Sequence, residues 1–427
     1  MSKLQELINK LCPNGVEFKP LGDVFEMRNG YTPSKNNPDF WEGGTIPWFR
    51  MDDIRENGRI LSDSIQHITP SAIKGKGLFE ANSFILATTA TIGEHALIIA
   101  DSLANQRFTN LKVRKSLSNL LVTKFIYYYM FIVDDFCKRN TNVSGFASVD
   151  MDKLKKMPFP VPPIEVQEEI VRILDSFSDY AAELQAELQA RKQQYEYYRN
   201  LLLTFNPSAY GCGTDDEQKD GVTTWGGHNY KIEWKKLGEI CNRICSGGTP
   251  TTSNKSFYNG SIPWLRTQEV NWSDVYDTEI KISEEAVKKS SAKLIPSNCV
   301  IIAMYGATAA KVCINRIPLT TNQACCNLEI NPQLASYKYV YYWLCNSYEK
   351  LKSMGEGSQN NINGMKIKQY PIPIPPLELQ EKIVAILDRF ETLVNDLTNG
   401  LPAEIAAVKD QYEYYRNKLL TFKKLSA

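Results

Sequence analysis

The chain has 427 residues, 43% of them hydrophobic and 23% charged, with a formal net charge of +1. This length suits two or three domains, and the near-neutral charge excludes a nonspecific polycation. We expect a cytoplasmic protein with reduced thiols, because no run of 18 or more apolar residues or basic-then-apolar leader occurs and the ten cysteines are irregularly spaced. Cys241 with Cys245, and Cys325 with Cys326, lack further ligands nearby, so we predict no metal.

The first 160 residues are predicted to form an α+β domain. An amphipathic helix carries Leu4, Leu7, Ile8 and Leu11 and ends at Pro13. Short β-rich runs such as SFILATTA, turns such as NGYTPSKNNP and the helical stretch TKFIYYYMFIVDDF follow. A second domain of the same texture, with NCVIIAMY and SYKYVYYWLCNSYEKL, is predicted for residues 230–373.

Each predicted domain is followed by a long helix, at residues 161–206 and 374–427. Apolar residues alternate in steps of four and three from Ile170 to Phe205, broken only by Arg191. This is a heptad seam typical of a helix that packs along another helix. The second seam contains a four-residue insertion with Gly400 and Pro402, which predicts a kink or break there. Residues 207–229, rich in Gly and Asp, are predicted to be a linker.

An internal repeat unites these segments. The stretch QYEYYRNLLLTF returns as QYEYYRNKLLTF, and the separation between matching motifs stays between 213 and 217 residues. Three further pairs are IPWFRMDDI with IPWLRTQEV, ANQRFTNLKV with TNQACCNLEI, and FPVPPIEVQEEIVRILD with IPIPPLELQEKIVAILD. The predicted fold is therefore two similar α+β domains joined by two long antiparallel coiled-coil helices, with an internal pseudo-two-fold repeat.

Such a repeat matches the local dyad of duplex DNA. The order of variable domain, PxPPxxxQExIVxILD helix ending in QYEYYRNxLLTF, second variable domain and second helix resembles the specificity subunit of type I restriction-modification systems. The resemblance covers essentially the whole chain. It implies that each domain is a target recognition domain for half of a bipartite DNA sequence. It also implies that the helices set the spacer and dock two adenine methyltransferase subunits, with motor-nuclease subunits as further partners.

Catalytic motifs are missing from the sequence. It contains no NPPY or DPPY motif, no GxxxxGK[ST] and no HExxH. We therefore expect a non-catalytic subunit without a cofactor, with S-adenosylmethionine, ATP and Mg bound by partner subunits. A non-DNA-binding structural scaffold, and a nuclease or methyltransferase of unfamiliar type, are the alternative hypotheses.

Base recognition requires polar and basic side chains on loops that can enter a groove. The DNA-binding candidates of the first domain are Tyr31, Thr32, Ser34, Lys35, Arg50, Lys74, Lys76, Thr88, Thr89, Arg107, Ser144 and Gly145. Those of the second domain are Gly248, Thr249, Thr252, Arg266, Lys293, Tyr305, Gln323, Ser358, Gln359, Asn360 and Asn361. The matching Asn-Gln pairs, Asn105 with Gln106 and Asn322 with Gln323, fit a structural role as well as a DNA-binding role.

The repeated helix segment also predicts a partner surface. Tyr195, Tyr198, Leu202 and Phe205 continue the seam, while the neighbouring side chains project elsewhere. The candidates for partner binding are Tyr197, Arg199 and Asn200 in the first helix and Tyr414, Arg416 and Asn417 in the second. The alternative is that these side chains simply cover the coiled coil.

Overall fold

The computed structural model of the chain describes residues 3–75, 77–142, 147–205, 221–356, 361–396 and 398–425. It divides into two compact units. Unit one contains Met1–Leu184 and Ile405–Ala427, and unit two contains Gln185–Glu404. Each unit therefore combines a globular domain of one repeat with helical segments of both repeats.

Among the described residues, six helices begin in the first segment of unit one. They are α1 Lys3–Leu11, α2 Leu21–Val24, α3 Met51–Asn57, α4 Thr123–Arg139, α5 Met151–Lys156 and α6 Ile164–Leu203, the last of which continues into unit two. Its strands are β1 Glu17–Pro20, β2 Phe25–Asn29, β3 Ile46–Phe49, β4 Ile60–Leu61, β5 His67–Ile68, β6 Ser83–Ala87, β7 His95–Ile98, β8 Leu103–Ala104, β9 Phe108–Val113, β10 Thr141–Asn142, β11 Ser148–Val149 and β12 Pro158–Val161.

Unit two follows the same plan. Its strands are β13 Gly221–Trp225, β14 His228–Lys236, β15 Cys241–Ser246, β16 Ile262–Leu265, β17 Asp274–Val275, β18 Lys281–Ile282, β19 Val300–Ala303, β20 Val312–Asn315, β21 Thr320–Thr321, β22 Cys325–Ile330 and β23 Pro371–Ile374. Its helices are α7 Glu284–Lys288, α8 Tyr337–Asn346, α9 Tyr348–Ser353, α10 Gly364–Gln369 and α11 Leu377–Asn395, and α12 Leu401–Leu419 leads back to unit one.

The sheets of the two units have the same strand order. A five-stranded sheet runs β2-β9-β6-β7-β4 in unit one and β15-β22-β19-β20-β17 in unit two, and a three-stranded sheet runs β5-β3-β8 or β18-β16-β21. In both three-stranded sheets the central strand pairs antiparallel with one neighbour and parallel with the other. The predicted α+β repeat is confirmed.

The central strand of each five-stranded sheet is buried on both faces. In β6, Phe84 and Leu86 enter the core that contains α4, while Ile85 and Ala87 enter a second core with Trp48. Strand β19 alternates in the same way between two cores. Because successive strand residues point to opposite faces, a fully apolar run can supply both cores.

The helices join the units by exchanging their ends. Leu174, early in α6, lies in the core of unit one, but Leu203 at the end of α6 is fully buried in the core of unit two. The second repeat mirrors this arrangement, because Leu387 of α11 lies in the core of unit two and Leu420 in that of unit one. The predicted seam names Leu202 rather than Leu203, but Leu202 is only partly buried.

Aromatic contacts define how the helices pair. In unit one, Phe177 stacks on Tyr415 with ring centroids 5.4 Å apart. In unit two, Phe390 stacks on Tyr195 at 6.2 Å and on Tyr198 at 5.5 Å. Each contact joins an early position of one repeat's helix to a late position of the other's, which confirms the predicted antiparallel pairing.

The predicted helix break is confirmed. Helix α11 ends at Asn395 and α12 begins at Leu401, whereas α6 runs for 40 residues without interruption. In the break, Asp396 Oδ1 accepts hydrogen bonds from the backbone N–H of Thr398 at 2.7 Å and of Asn399 at 3.1 Å. At Gly400, a Cβ would lie 2.4 Å from the carbonyl oxygen of Thr392, so the close return of the chain requires glycine.

The segment predicted as a linker, residues 207–229, needs correction in its second part. Strand β13 lies inside that segment and pairs with β14, and the turn between them places Gly226 and Gly227 at positive φ. This strand was not predicted because its residues alternate between exposed and half-buried and few of them are apolar. Residues 206–220 lie outside the described part of the chain.

None of the helices among the described residues has the length and apolar character of a membrane span.

Replacing Leu203 or Leu420 by Ala tests the exchange of helix ends. Each side chain is at most 2% exposed, so we expect each substitution to lower the free energy of unfolding by about 2–5 kcal/mol. The control is Leu201→Ala, because Leu201 is 44% exposed, and its effect should stay within about 0.5 kcal/mol. Urea titration followed by circular dichroism provides the measurement, and equal midpoints for all three variants would contradict the exchange.

We expect a buried histidine to make unit one sensitive to acid. His95 is fully buried, and its Nδ1 lies 2.7 Å from Asp134 Oδ2, which Arg59 also contacts at 3.1 Å. Burial lowers the pKa of His95, despite the opposing effect of Asp134. The unfolded chain, with a histidine pKa of about 6.5, therefore binds more protons, and the stability present above that pH is lost as the pH falls through it.

We expect the melting temperature of the wild type to fall more than that of His95→Gln when the pH is lowered from about 7.5 to about 5.5. Thermal unfolding at both pH values measures the difference. His228→Gln is the control, since this exposed histidine lies outside the cluster. The same pH dependence in wild type and His95→Gln would rule out His95 as the cause.

Candidate DNA-binding face

A tight turn precedes β9 in unit one and β22 in unit two. We call residues 105–107 and 322–324 the Asn-Gln turns. Asn105 Oδ1 accepts a hydrogen bond from the backbone N–H of Arg107 at 3.0 Å, and Asn322 Oδ1 accepts one from that of Ala324 at 3.2 Å. The asparagine side chain thus closes the turn in both units, which favours a structural role for this half of each Asn-Gln pair.

Three other segments are hydrogen-bonded to the Asn-Gln turn of unit one or to the strand residue directly before it. The backbone N–H of Tyr31, after β2, donates to the carbonyl of Ala104 at 2.9 Å. The N–H of Asn105 donates to Phe49, at the end of β3, at 3.1 Å, and the N–H of Thr88, after β6, donates to Arg107 at 2.9 Å. We call this arrangement the loop frame.

Unit two contains the same loop frame. Gly248 N–H donates to the carbonyl of Thr321 at 2.8 Å, Asn322 N–H to Leu265 at 2.9 Å, and Met304 N–H to Ala324 at 2.8 Å. All six bonds use backbone atoms, so the frame persists while the side chains on it differ. The structure therefore brings together loops that lie far apart in each half of the sequence.

The glutamine of each turn is held by a threonine from the loop that follows β2 in unit one or β15 in unit two. Thr32 Oγ1 donates to Gln106 Oε1, and Thr249 Oγ1 donates to Gln323 Oε1. Both glutamines are exposed at the tip of the turn. The sequence pattern identified the pairs, but only the structure separates a structural asparagine from an exposed glutamine.

Two glycines allow the loops to meet. A Cβ on Gly30 would lie 2.2 Å from the carbonyl oxygen of Ala104, and one on Gly247 would lie 2.1 Å from that of Thr321. Sequence reasoning missed these residues, although the signal was present: a glycine stands at the same repeat position in both halves. Close backbone approach is one of the two situations that require glycine.

Side chains of Tyr31 and Arg28 hold the backbone on both sides of Lys74 in unit one. The Tyr31 hydroxyl donates to the carbonyl of Ala72 at 3.0 Å and accepts from the N–H of Lys74 at 2.8 Å. Arg28, which sequence reasoning did not select, donates to the carbonyls of Gly77 at 3.0 Å and Leu78 at 2.6 Å. The side chain of Lys74 stays exposed, whereas the Tyr31 hydroxyl is used in hydrogen bonds within the protein.

The remaining candidates divide by exposure. Ser34, Lys35, Lys74, Arg107, Thr252, Lys293, Tyr305, Gln323 and Asn361 are exposed, and Thr32, Thr89 and Thr249 are half-buried. Their role in DNA binding stays a prediction. Asn361 is fixed through its backbone, which exchanges two 3.0 Å hydrogen bonds with Glu356. Lys76, Ser144, Gly145, Ser358, Gln359 and Asn360 lie outside the described residues.

Burial removes two candidates from the surface. Thr88 is 7% exposed, and its hydroxyl lies 3.0 Å from that of Thr109. Gly248 is buried, its carbonyl accepts a hydrogen bond from Trp264 Nε1 at 3.0 Å, and a Cβ there would lie 2.3 Å from the backbone nitrogen of Ala292. Both residues therefore help to build the loop frame, and their contact with DNA stays a prediction.

The arginines after β3 and β16 are engaged with carboxylates. Arg50 Nη2 lies 3.7 Å from Asp52, while Arg266 pairs with Glu279 and lies 3.6 Å from Glu269. In both units the arginine side chain thus lies beside a carboxylate of its own unit. A contact with DNA would have to compete with these ion pairs.

The two arginines of the predicted partner surface have partners within the chain. Arg199 Nε donates to Asn346 Oδ1 at 3.3 Å, and the Arg416 guanidinium lies 4.3 Å from the ring centroid of Phe131. Both arginines therefore contact the globular part of their own unit. The side chains of Tyr197 and Tyr414, 63% and 59% exposed, remain candidates for partner binding. Asn200 and Asn417, which are also exposed, remain candidates as well.

Within the described part of the chain, no cluster of His, Cys, Asp or Glu residues could hold a metal ion. The described cysteines are all free. Burial raises the pKa of Cys241, Cys299 and Cys326 to about 12, which keeps these thiols protonated.

Two related domains that present unlike side chains on one loop frame define a duplicated recognition protein. The family described as type I restriction modification DNA specificity domain matches residues 13–191 and 230–407. The two matches include most of the chain, and the chain therefore belongs to this family.

Its relatives support the same assignment. The chain is 52% identical to the type I restriction enzyme EcoprrI specificity subunit of Escherichia coli, over 96% of this chain and 94% of the relative. It is 32% identical to the EcoR124I/EcoR124II specificity subunit of Escherichia coli, over 99% and 98% of the two chains.

Solved structures share the fold. A chain from a study of complex assembly and conformational transition of the type I R-M system aligns with a TM-score of 0.63 and 17% identity, over 96% of this chain and 98% of that chain. The HsdS subunit from Thermoanaerobacter tengcongensis aligns with a TM-score of 0.55 and 17% identity, over 96% and 97%. At these identities the likeness concerns the fold alone.

We expect Gly30→Ala and Gly247→Ala each to destabilise the protein by about 1–3 kcal/mol, because the added methyl group overpacks the loop frame. Gly364→Ala is the matched control, since a Cβ at this first residue of α10 would meet nothing within 4 Å. Thermal unfolding measures the effect. A Gly30→Ala variant as stable as Gly364→Ala would show that the loops need not approach so closely.

Proposed function

We propose that this chain is the DNA sequence-specificity subunit of a type I restriction-modification complex, in which each unit recognises one half of a bipartite duplex target. The observation that carries the proposal is the duplicated loop frame with unlike exposed side chains, in a chain that contains two copies of the family's domain. A shared frame gives both units the same way of approaching a groove. Different side chains on the frame then give the two half-sites different sequences.

The reaction belongs to the partners in this proposal. Two methyltransferase subunits bind the helices, where Tyr197 and Tyr414 expose equivalent surfaces, and motor-nuclease subunits complete the complex. S-adenosylmethionine, ATP and Mg are bound by these partners, and the chain itself contributes no catalytic group. The two units hold the duplex on either side of a nonspecific spacer whose length the helices set. Each methyltransferase then flips an adenine out of its half-site.

The test is a genome-wide map of adenine methylation in a host that expresses the chain with the methyltransferase of its own system. We expect a bipartite motif that is absent when the methyltransferase is expressed alone, because the chain supplies the sequence recognition. If the two proteins co-purify but no new motif appears, the chain is a scaffold and the proposal is wrong.

A matched pair of variants assigns one half-site to unit two. Tyr305, 38% exposed, directly follows Met304 of the loop frame, whereas Tyr276, 68% exposed, follows β17 and takes no part in the hydrogen bonds of the frame. We expect Tyr305→Ala to alter or weaken recognition of one half-site and to leave the other unchanged, while Tyr276→Ala keeps the wild-type motif. An equal loss at both half-sites would contradict separate recognition by the two units.

A further inference from the structure

The two Asn-Gln turns differ at their last residue. Unit one has Arg107 and unit two has Ala324 on turns that are otherwise closed by the same hydrogen bonds. The glutamine before this position is the same in both units and is held in the same way by a threonine. Because the backbone of the turn is the same in both units, the different side chain at this position can make the two units recognise different DNA sequences.

The backbone of Arg107 is fixed on both sides. Its N–H donates to Asn105 Oδ1 at 3.0 Å, and its carbonyl accepts from the N–H of Thr88 at 2.9 Å and from the Thr88 hydroxyl at 3.4 Å. Thr88 is itself buried. The guanidinium is therefore carried by a fixed Cα, which is the condition for recognition at a defined position.

The guanidinium of Arg107 is exposed and makes no hydrogen bond or ion pair with any residue that the structure describes. By contrast, the guanidinium groups of Arg50 and Arg266, which directly follow residues of the loop frame, are paired with carboxylates. Arg107 therefore keeps all five of its N–H donors for a ligand. A planar donor group of this kind matches two acceptors lying side by side, as in the O6 and N7 atoms of guanine.

Phosphate oxygens are the other acceptors that DNA offers to arginine. A phosphate contact carries no sequence information and would serve both units equally, yet only unit one has an arginine here. Ala324, 9% exposed, has no polar group with which to replace it. The exposed glutamine occurs in both turns. It is therefore the better candidate for a contact that is common to both half-sites.

We propose that Arg107 determines part of the half-site specificity of unit one by forming a bidentate contact with a guanine, and that unit two lacks this contact. The inference rests on the proposed function of the chain in DNA recognition. It requires a G·C base pair in the half-site that unit one recognises.

The experiment compares the wild-type chain with Arg107→Ala and Arg107→Gln, each co-expressed with the methyltransferase partner, by mapping adenine methylation. Arg107→Ala is expected to lower discrimination at one G·C pair by about 10-fold to 100-fold, while the other half-site is unchanged. Arg107→Gln is expected to shift the preference at that position towards adenine, since glutamine pairs with the N6 and N7 atoms of adenine.

Arg55→Ala is the control for loss of charge. Arg55 is an exposed arginine of α3 in the same unit, lies 3.9 Å from Asp52 and takes no part in the hydrogen bonds of the loop frame. It should retain the wild-type motif. Binding of the purified complexes to duplexes with each base pair of the half-site changed in turn gives a second readout, which decides the matter if a variant modifies no site.

Three outcomes would overturn the proposal. An unchanged motif in Arg107→Ala would show that Arg107 reads no base, and a uniform loss of binding with the base preferences intact would assign it to a phosphate. A change in both half-sites would contradict an effect confined to unit one. If the wild-type chain itself directs no bipartite motif, the proposed function fails, and this result is separate from any of the three.

Discussion

The burial of each helix end in the core of the other repeat's unit is the constraint on which the rest of the structure depends. Leu203 comes from the helix of the first repeat but packs in the core that contains β19, and Leu420 comes from the second repeat but packs in the core that contains β6. Neither globular domain completes its core with its own repeat alone. Burial of a leucine side chain stabilises a fold by roughly 1.5–3 kcal/mol, so this exchange contributes directly to the stability of each unit.

The exchange also explains why the segment QYEYYRN occurs twice. In unit two, Tyr195 stacks on Phe390 and Arg199 contacts Asn346. In unit one, Tyr412 contacts Tyr128 and Arg416 lies over Phe131. The arginine of the segment thus contacts α8 in unit two and α4 in unit one, while its first tyrosine packs on an aromatic ring in both units. The tyrosine rings and the guanidinium groups both take part in this packing. The packing therefore constrains residues of the segment that lie outside the heptad seam as well as those within it.

The loop frame combines a fixed architecture with variable chemistry. Its six connecting hydrogen bonds use backbone atoms, and the side chains that it requires are few: an asparagine to close each turn and a glycine where two backbones meet. Other positions can then change without loss of the frame. Arg107 and Ala324 occupy the same place on it, as do Thr89 and Tyr305 next to the buried ends of β6 and β19. Such a scaffold suits a protein with two different binding specificities.

The sequence alone determined the repeat, the α+β class, the continuous first helix and the break near Gly400. These features depend on local periodicity, on glycine and proline, and on the comparison of one half of the chain with the other, all of which are visible in one dimension. Only the tertiary structure decided which candidate side chains are available. Arg199 and Arg416 contact residues of other helices, Arg50 and Arg266 are paired with carboxylates, Thr88 and Gly248 are buried, and Arg28 holds a loop. The physical reason is that cation–π contacts, long-range hydrogen bonds and close backbone approaches join residues that the chain brings together only when it folds.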